Sequence, residues 1–389
     1  MGLEEFTYKV QSACQQYLPQ RTLNIYPEGK GKPGGRVLVS YLPLPLFGDP
    51  AEFRGHSNVW ESSEIVGIFN RLGYSVDLIA WNDSSFMPES GYDLVFDIHR
   101  NLVRCSGDDT QAIFHITGSN PEFSNRAEAL RLDELRARRG AVVAARRAVG
   151  DDDMRLFSEN LARADLVTLI GNNVTAATFP DSVQAKLRRV VATGARLPST
   201  LESTPVCSRP QEFLWFNGKG AVLKGLDLVL EVFAGHQELI LHVVGPYLRE
   251  RDFVAVYRTE LFAMPNIRNH GFLLPASRKF QEIAARVRAF VSPSCSEGIS
   301  TAAITCMQAG IVPIISRNCG ITLPDHSGIL LDDCSISTIE SAVQSIVCMN
   351  DDSWHSMAEN TRQFALETYS RALFSRQMEE AVASLLPGS

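Results

Sequence analysis

The amino-acid sequence predicts an α/β protein with two doubly wound domains, each a parallel sheet covered by helices on both faces. Three observations support this. The chain has 389 residues, more than one domain usually holds. Short β-branched runs alternate with amphipathic helical periods, as expected for repeated βα units. The alternation stops in a Ser-, Thr- and Pro-rich stretch at 192–211 and then restarts.

The chain is predicted to begin with a short helix and an exposed connection over residues 1–34, the latter rich in Gly, Lys and Pro. The first domain, residues 35–204, follows. Its parallel strands are expected to be buried on both faces, because βα repetition covers both sides of the sheet. Its predicted strands are 36–42, 76–81, 94–99, 112–117 and 166–171, and its helices are 60–72, 122–139 and 153–163.

The second domain, residues 205–370, repeats the pattern, and a last helix lies within 371–389. Two doubly wound sheets that face each other bring the carboxyl ends of their strands to one cleft, so we expect a ligand between the domains. The predicted strands are 212–216, 239–245, 267–272, 289–294 and 312–317, and the helices are 225–235, 250–263, 277–287 and 300–309.

Composition narrows the functional classes. With 37 basic and 44 acidic residues, the net charge is −7, which argues against a protein that coats nucleic acid. No apolar run is long enough for a membrane span, and Glu4 and Glu5 stand where a secretory signal would be basic and then apolar. The eight cysteines form no CxxC pair, so we expect a reduced, cytoplasmic protein.

Familiar catalytic motifs do not occur. The sequence contains no HExxH, GxxxxGK[ST] or GxSxG. Metalloprotease, P-loop NTPase and common serine hydrolase functions therefore lose their main support. Histidines and cysteines are scattered, and no DxD pair ends a predicted strand, so no bound metal is expected.

The densest candidate site is SPSCSEGISTAAITCMQAG at 292–310, where a strand ends and a helix begins near Ser300. The small residues Gly298, Ser300 and Thr301 would leave backbone N–H groups open to a phosphate. A phosphate repels a carboxylate, so Glu297 is expected to face neutral hydroxyls. The alternative is a capped strand-to-helix turn with an exposed glutamate.

The second candidate is the Gly-flanked loop in FNGKGAVLKGLDLVLEVF at 216–233. Only seven lysines occur in the chain, and Lys219 and Lys224 lie five residues apart in this loop. Two cations match the charge of a diphosphate, and the glycines allow close approach. The alternative is a pair of solvated surface lysines.

These motifs, followed by VVGP, HGFL, PSCSEG and MQAGIVPIIS, resemble the donor half of GT-B glycosyltransferases. More narrowly, residues 212–370 are similar to the retaining glycosyltransferase family 4, the glycosyl transferases group 1. The resemblance implies two Rossmann-like domains in a GT-B architecture. It also implies that the last helix, about 371–387, packs back toward the first domain.

The resemblance assigns roles to residues of the second domain. Lys219 and Lys224 would neutralise the donor diphosphate, and Glu297 would contact hydroxyls of the transferred sugar. The distal phosphate would lie at Gly298, Ile299, Ser300 and Thr301, and the base would lie beside Gly271, Phe272 and Leu273.

Two positions depart from the family pattern. Lys219 stands where arginine is usual, which keeps the charge but loses bidentate geometry. Thr305 stands where the family has a second glutamate that holds the ribose hydroxyls. A threonine hydroxyl replaces a carboxylate only in part, so donor affinity or nucleotide choice is expected to differ.

The first domain carries weaker candidates. Gly55, Ser57 and Asn58 precede a helix and, by resemblance, touch the donor phosphate or the acceptor; an N-cap turn is the alternative. His115 is expected to face the cleft near the reacting carbon, although a lone strand histidine is more often a core residue. His99 is a weaker candidate for the same position at the cleft.

The segment 125–149 is rich in arginine. It has a local excess of positive charge between Arg126 and Arg147, which could meet an anionic acceptor or a membrane surface. The alternative is a solvated helical face, balanced by the acidic residues that follow it.

The motifs and the resemblance together predict a glycosyltransferase; the resemblance implies retention, and the lack of metal-binding motifs predicts a metal-independent reaction. Its donor would be a UDP- or GDP-linked sugar, and its acceptor a hydroxyl on a glycan, a lipid-linked molecule or a small molecule. The cationic loop would stabilise the leaving diphosphate, whose oxygen takes the acceptor proton on the same face. Two alternatives stay open: a GT-B-shaped binding or scaffold protein without transfer activity, and a sugar-nucleotide epimerase.

Overall fold

The computed structural model describes residues 21–26, 34–43, 57–197 and 211–386. These residues form a seven-stranded and a six-stranded sheet. In the first sheet the strand order is β1-β3-β2-β4-β5-β6-β7, and only the β1–β3 pairing is antiparallel. The second sheet, β10-β9-β8-β11-β12-β13, is parallel throughout. The predicted fold class is confirmed.

The strands follow the β-branched runs of the sequence. Val37, Leu38 and Val39 are successive residues with no exposed surface, as expected for a parallel strand covered on both faces. The strands are β1 (Arg21–Ile25), β2 (Gly35–Tyr41), β3 (Tyr74–Ala80), β4 (Leu94–Asp97), β5 (Gln111–Ile116), β6 (Leu166–Ile170), β7 (Leu187–Val190), β8 (Glu212–Phe216), β9 (Ile240–Val244), β10 (Ile267–Gly271), β11 (Ala289–Ser292), β12 (Val312–Ser316) and β13 (Ile329–Leu331).

The helices cover both sheets, and several begin at a side-chain cap. Asn120, for example, accepts a hydrogen bond from the Glu122 N–H, and Pro121 occupies the first turn. The helices are α1 (Ser57–Arg71), α2 (Leu102–Cys105), α3 (Pro121–Arg139), α4 (Asp151–Arg163), α5 (Asn173–Ala176), α6 (Asp181–Gln184), α7 (Leu226–Gly235), α8 (Arg251–Val256), α9 (Arg258–Phe262), α10 (Arg278–Ala284), α11 (Thr301–Gln308), α12 (Ile336–Cys348), α13 (Asp351–Thr368) and α14 (Arg371–Ala383).

Two predictions about elements are wrong. Residues 21–25, expected within a helix and exposed connection, form the antiparallel edge strand β1, whose Arg21 pairs with Asp83 at 2.6 Å. The predicted helix 250–263 is two helices that meet at Tyr257. The helix expected near the chain start falls on residues 1–20, outside the described residues.

The last helix joins the two domains. Helix α14 lies against α1 and β7 of the first domain, where Arg71 pairs with Glu379 at 2.9 Å and the Val191 N–H donates to Gln377 Oε1. One continuous buried cluster includes Val37 of the first sheet, Ala303 of α11 and Phe374 of α14. The domains therefore share apolar packing as well as a cleft.

The arginine-rich segment also joins the domains. Arg138 pairs with Asp227 and Glu231, Arg139 with Glu231 and Glu260, and Arg146 with Asp252. These acceptors all belong to the second domain, so neither predicted interpretation, membrane surface or solvated face, describes these three arginines. Arg126 and Arg136 remain exposed. No helix among the described residues is long and apolar enough to cross a membrane.

Candidate active site

A cavity of about 360 Å³ lies between the domains at the carboxyl ends of both sheets. The first domain contributes Tyr41, Glu61 and Trp81 to its wall, and the second contributes residues 216–218 and 272–275. Residues predicted to bind the donor also line it: Ser57, Asn58, Phe272, Leu273, Ile299, Thr301 and Thr305. Segments from distant parts of the sequence therefore meet at one cleft, as the doubly wound topology requires.

Lys224 and Glu297 form an enclosed ion pair; neither lines the cavity, but Glu297 lies two residues before Ile299, which does. Lys224 Nζ donates to Glu297 Oε1, which also accepts a hydrogen bond of 3.1 Å from Ser294 Oγ. Lys224 is 8% exposed. Without a ligand, the two predicted donor contacts thus satisfy each other.

Close backbone packing creates this pair. Gly225, with φ +72°, follows Lys224, and a Cβ on Gly225 would lie 2.5 Å from Pro293 Cγ and 2.8 Å from its oxygen. The Cys295 N–H donates to the Leu223 carbonyl at 2.9 Å. The lysine loop is therefore pressed onto the turn that carries Glu297, which requires glycine at residue 225.

Lys219 lies exposed at the tip of the same loop. The N–H groups of Gly220 and Ala221 donate to the carboxylate of buried Glu250 at 2.7 and 3.0 Å, which fixes the loop. Arg147 of the first domain packs alongside: its Cγ lies 3.1 Å from the position of a Cβ on Gly220. A guanidinium-bearing side chain therefore accompanies the loop in which lysine replaces arginine.

Gly298 lies at the domain interface. A Cβ there would stand 2.5 Å from the Ile170 carbonyl oxygen and 2.6 Å from that of Thr117, both in the first domain. Thr175 Oγ1 donates to the Gly298 carbonyl at 2.8 Å, and Ser119 Oγ donates to that of Glu297 at 2.5 Å. Glycine is thus required here by close interdomain approach, which single-sequence reasoning did not predict.

At the start of α11, Ser300 does not leave its backbone N–H open to a phosphate, contrary to the prediction. Its N–H, expected to be accessible, donates to the Cys319 carbonyl at 2.9 Å, and its Oγ caps α11 by accepting from the Ala303 N–H. Ser300 is therefore a buried capping residue. Its neighbours Ile299 and Thr301 do line the cleft.

Thr305 faces the cleft but its hydroxyl is engaged. Oγ1 donates to the Thr301 carbonyl at 2.7 Å and accepts from the Ala195 N–H of the first domain at 3.0 Å. The residue that replaces the expected ribose-binding glutamate thus bonds the two domains together.

His115 is fully buried and is not among the residues that line the cleft. Its Nδ1 lies 2.9 Å from Thr168 Oγ1, and its ring stacks on Phe96 with centroids 5.3 Å apart. Burial lowers its pKa to about 3, so the ring is neutral at pH 7. The expectation that it faces the cleft is not met; Thr117, two residues on, lines the cleft instead.

Other predicted residues have clear positions. Gly271 ends β10 with φ +66°, and its carbonyl accepts from the Gly245 N–H at 2.8 Å. His99 packs on Trp81, and burial lowers its pKa. Gly55 lies outside the described residues, and α1 begins at Ser57.

Glu61 is the acidic residue of the cleft wall that the sequence analysis did not predict. Glu61 lies one helical turn after Asn58, and both line the cavity. The sequence feature that could have indicated Glu61 is an acidic residue on the turn that follows the predicted 55–58 loop. Among the described residues, no group of three or more His, Cys, Asp or Glu side chains is placed to hold a metal ion.

Comparison with known proteins places this geometry in context. Residues 209–364 match the family model of the glycosyl transferases group 1. A search of curated sequences finds no match.

Several solved structures have a similar fold over 90% or more of this chain. Sucrose-phosphate synthase from Thermosynechococcus elongatus is 14% identical with a TM-score of 0.64, covering 91% of this chain and 99% of its own. Anabaena HepE in complex with UDP and glucose is 11% identical with a TM-score of 0.58, covering 90% and 99%. WaaG, a glycosyltransferase involved in lipopolysaccharide biosynthesis, is 14% identical with a TM-score of 0.54, covering 91% and 100%.

Proposed function

Since the chain has the GT-B fold and residues 209–364 form a group 1 glycosyl transferase domain, we propose that it transfers a sugar from a nucleoside diphosphate sugar to a hydroxyl acceptor. The observation that carries this proposal is the meeting of Lys224 and Glu297 beside a cleft lined by both domains. A cation for the diphosphate and an acceptor for sugar hydroxyls are thus side by side.

The chemistry follows from charge. As the glycosidic bond breaks, negative charge grows on the diphosphate while the sugar becomes oxocarbenium-like. Lys224 leaves Glu297 for the diphosphate, with Lys219 and the N-terminus of α11 as further support, and Glu297 turns to the sugar hydroxyls. The leaving phosphate oxygen takes the acceptor proton on the same face, which gives retention without a metal ion.

A uridine nucleotide is the first donor to test, because HepE has been crystallised with UDP and with UDP-glucose. GDP-linked sugars are the second. The six cysteines within the described residues are free thiols, which supports a cytoplasmic reaction. If the acceptor is at a membrane surface, exposed Arg126, Arg136 and Arg147 are residues of this region that could meet it.

The proposal is tested with a panel of UDP- and GDP-linked hexoses, with and without glycan and lipid-linked acceptors. We expect nucleotide release that an acceptor accelerates, unchanged by EDTA, and a product whose anomeric configuration by NMR equals that of the donor. Inversion would overturn the mechanism. A sugar product without nucleotide release would indicate an epimerase instead.

A binding protein without transfer activity is the second candidate, and Thr305 favours it, because its hydroxyl is engaged between the domains. Thermal shift with UDP, GDP, ADP and CDP separates the candidates. Stabilisation by a nucleotide without turnover of any donor would support the binding protein; acceptor-dependent release excludes it.

A further inference from the structure

Glu61 lies in the wall of the interdomain cleft and belongs to none of the motifs discussed above. It stands on α1, three residues after Asn58, so both side chains are on one face of the helix. It is 2% exposed, and that small exposed surface faces the cavity. A carboxyl in this position is open to a ligand in the cleft.

The contacts of Glu61 leave it capacity for further hydrogen bonds. Thr193 Oγ1 donates to Oε1 at 3.3 Å, and Tyr41 O–H donates to Oε2 at 3.5 Å. Both bonds are long; the Thr193 backbone N–H also donates to the carboxylate, which offers about four acceptor positions in all. Shorter hydrogen bonds from a ligand would therefore complete the site.

A short segment links Glu61 to Thr305. Thr193 donates to Glu61, and two residues later the Ala195 N–H donates to Thr305 Oγ1 at 3.0 Å. Glu61 and Thr305 thus line one cavity from the two domains, and of the two only Glu61 is a carboxylate, the stronger acceptor. The same cavity is lined by Phe272 and Leu273, which the resemblance places beside the nucleotide base.

We infer that Glu61 binds the vicinal hydroxyls of the nucleotide ribose, supplying from the first domain the carboxylate that Thr305 lacks in the second. This inference rests on the proposed function. The shared chemistry, a sugar diol, is also present in the transferred sugar and in a glycan acceptor, so the experiment separates the ribose from those sources.

Calorimetric titration with UDP, GDP and their 2′,3′-dideoxy counterparts is the test. We expect Glu61→Gln to weaken binding of the preferred diphosphate by about tenfold, because hydrogen bonds to a charged acceptor are the stronger ones. Binding of the dideoxy compound should not change. Glu64→Gln is the matched control, since Glu64 lies on the same helix outside the cleft and bonds Arg71 and Ser375.

The results of the titration decide whether Glu61 contacts the ribose. Equal binding by Glu61→Gln and wild type would overturn the ribose contact while leaving the proposed function in place, even if the variant used acceptor poorly. Equal weakening of the ordinary and dideoxy nucleotides would also overturn it. If the wild type bound no nucleotide, this inference and the proposed function would fall together.

A pH profile gives a second readout. Burial raises the pKa of Glu61 to about 7, against the opposing effect of Arg371 on α14. The other charged or titratable groups near it are Tyr41 on β2 and Arg196, which faces Arg371. Ribose hydroxyls stabilise the ionised form, so affinity should rise from pH 6 to 8 more steeply in wild type than in Glu61→Gln.

Discussion

Two cationic regions of the sequence have different surroundings in the structure. In the loop at 216–225, Lys219 is exposed and Lys224 pairs with Glu297 beside the cleft. In the segment 125–147, Arg138, Arg139 and Arg146 pair with carboxylates of the opposite domain. The first region is placed for a ligand, and the second holds the domains together.

The difference shows what decides the use of a charge. Lys224 pairs with Glu297, which lies two residues before Ile299 of the cleft wall, although neither member of the pair lines the cavity itself. Arg138 bonds Asp227, whose side chain has no exposed surface, so no ligand reaches that carboxylate. Charge density alone did not distinguish these cases, and burial of the partner does not either, because Asp252 is 32% exposed and Glu297 13%. The arginines pair across the domains, whereas Lys224 pairs within the second domain.

The largest expected effect concerns the cationic loop at 216–225. Lys224→Ala should lower kcat by about 10²- to 10³-fold, because the leaving diphosphate loses a preorganised cation. Steady-state kinetics with the preferred donor measure this. Lys279→Ala, which removes an exposed lysine from α10, is the control and should leave kcat unchanged. Normal kinetics in Lys224→Ala would remove this residue from the mechanism.

The next largest effect concerns the arginines that join the two domains. Arg138→Met should lower the free energy of unfolding by about 3 kcal/mol, because buried Asp227 loses its hydrogen-bonded arginine and keeps only the charge of Arg131 nearby. Chemical denaturation measures it, with exposed Arg136→Met on the same helix as the control.

The Arg138 effect should depend on pH. Burial raises the pKa of Asp227 to about 6, so below that pH the group is protonated and needs its arginine less. The loss should therefore be larger at pH 8 than at pH 5. An equal loss at both values would contradict the ion-pair explanation.

A smaller effect is expected at Gly298, which follows Glu297 and lies at the domain interface. Gly298→Ala places a Cβ against the Ile170 and Thr117 carbonyl oxygens, so the domains must separate slightly. We expect a loss of about 2 kcal/mol in stability together with weaker donor binding. Gly118→Ala is a close control, because nothing lies within 4 Å of its Cβ position. Matching behaviour of the two variants would contradict the interface assignment.

The smallest effect sharpens the role of Thr305. Thr305→Val keeps the shape but leaves the Ala195 N–H without its acceptor, which should cost about 1 kcal/mol. Thr305→Ser keeps the hydroxyl and should stay closer to wild type. Thermal unfolding compares them. If Val and Ser behaved alike, the hydrogen bond would not matter for domain association.

Much of the fold was predictable from the sequence, because buried parallel strands leave a strong local signal. The predicted strand 36–42 is β2 at Gly35–Tyr41, and 212–216 is β8 at Glu212–Phe216. Strand β1 was missed because five residues at a sheet edge, one of them Asn24 with φ 58°, carry little periodicity. Their pairing with β3 is a long-range contact.

The candidate site was predictable only in part. The second-domain motifs lie in short contiguous stretches, so their residue types and spacing indicate an anion site. The resemblance placed His115 at the cleft, although a lone strand histidine is more often a core residue, and in the structure it is fully buried. Glu61 was missed because one glutamate on a helix is ordinary until its exposed surface is seen to face a cavity.

The sequence by itself determined two α/β domains, the position of a cleft between them and a cationic loop near Glu297, since all three depend on local patterns and on the geometry of parallel sheets. Only the tertiary structure decided which charges face the cleft and which join the domains. The reason is physical: the role of a charge depends on which partner it meets and on the domain that carries this partner, and those partners lie many residues away in the chain.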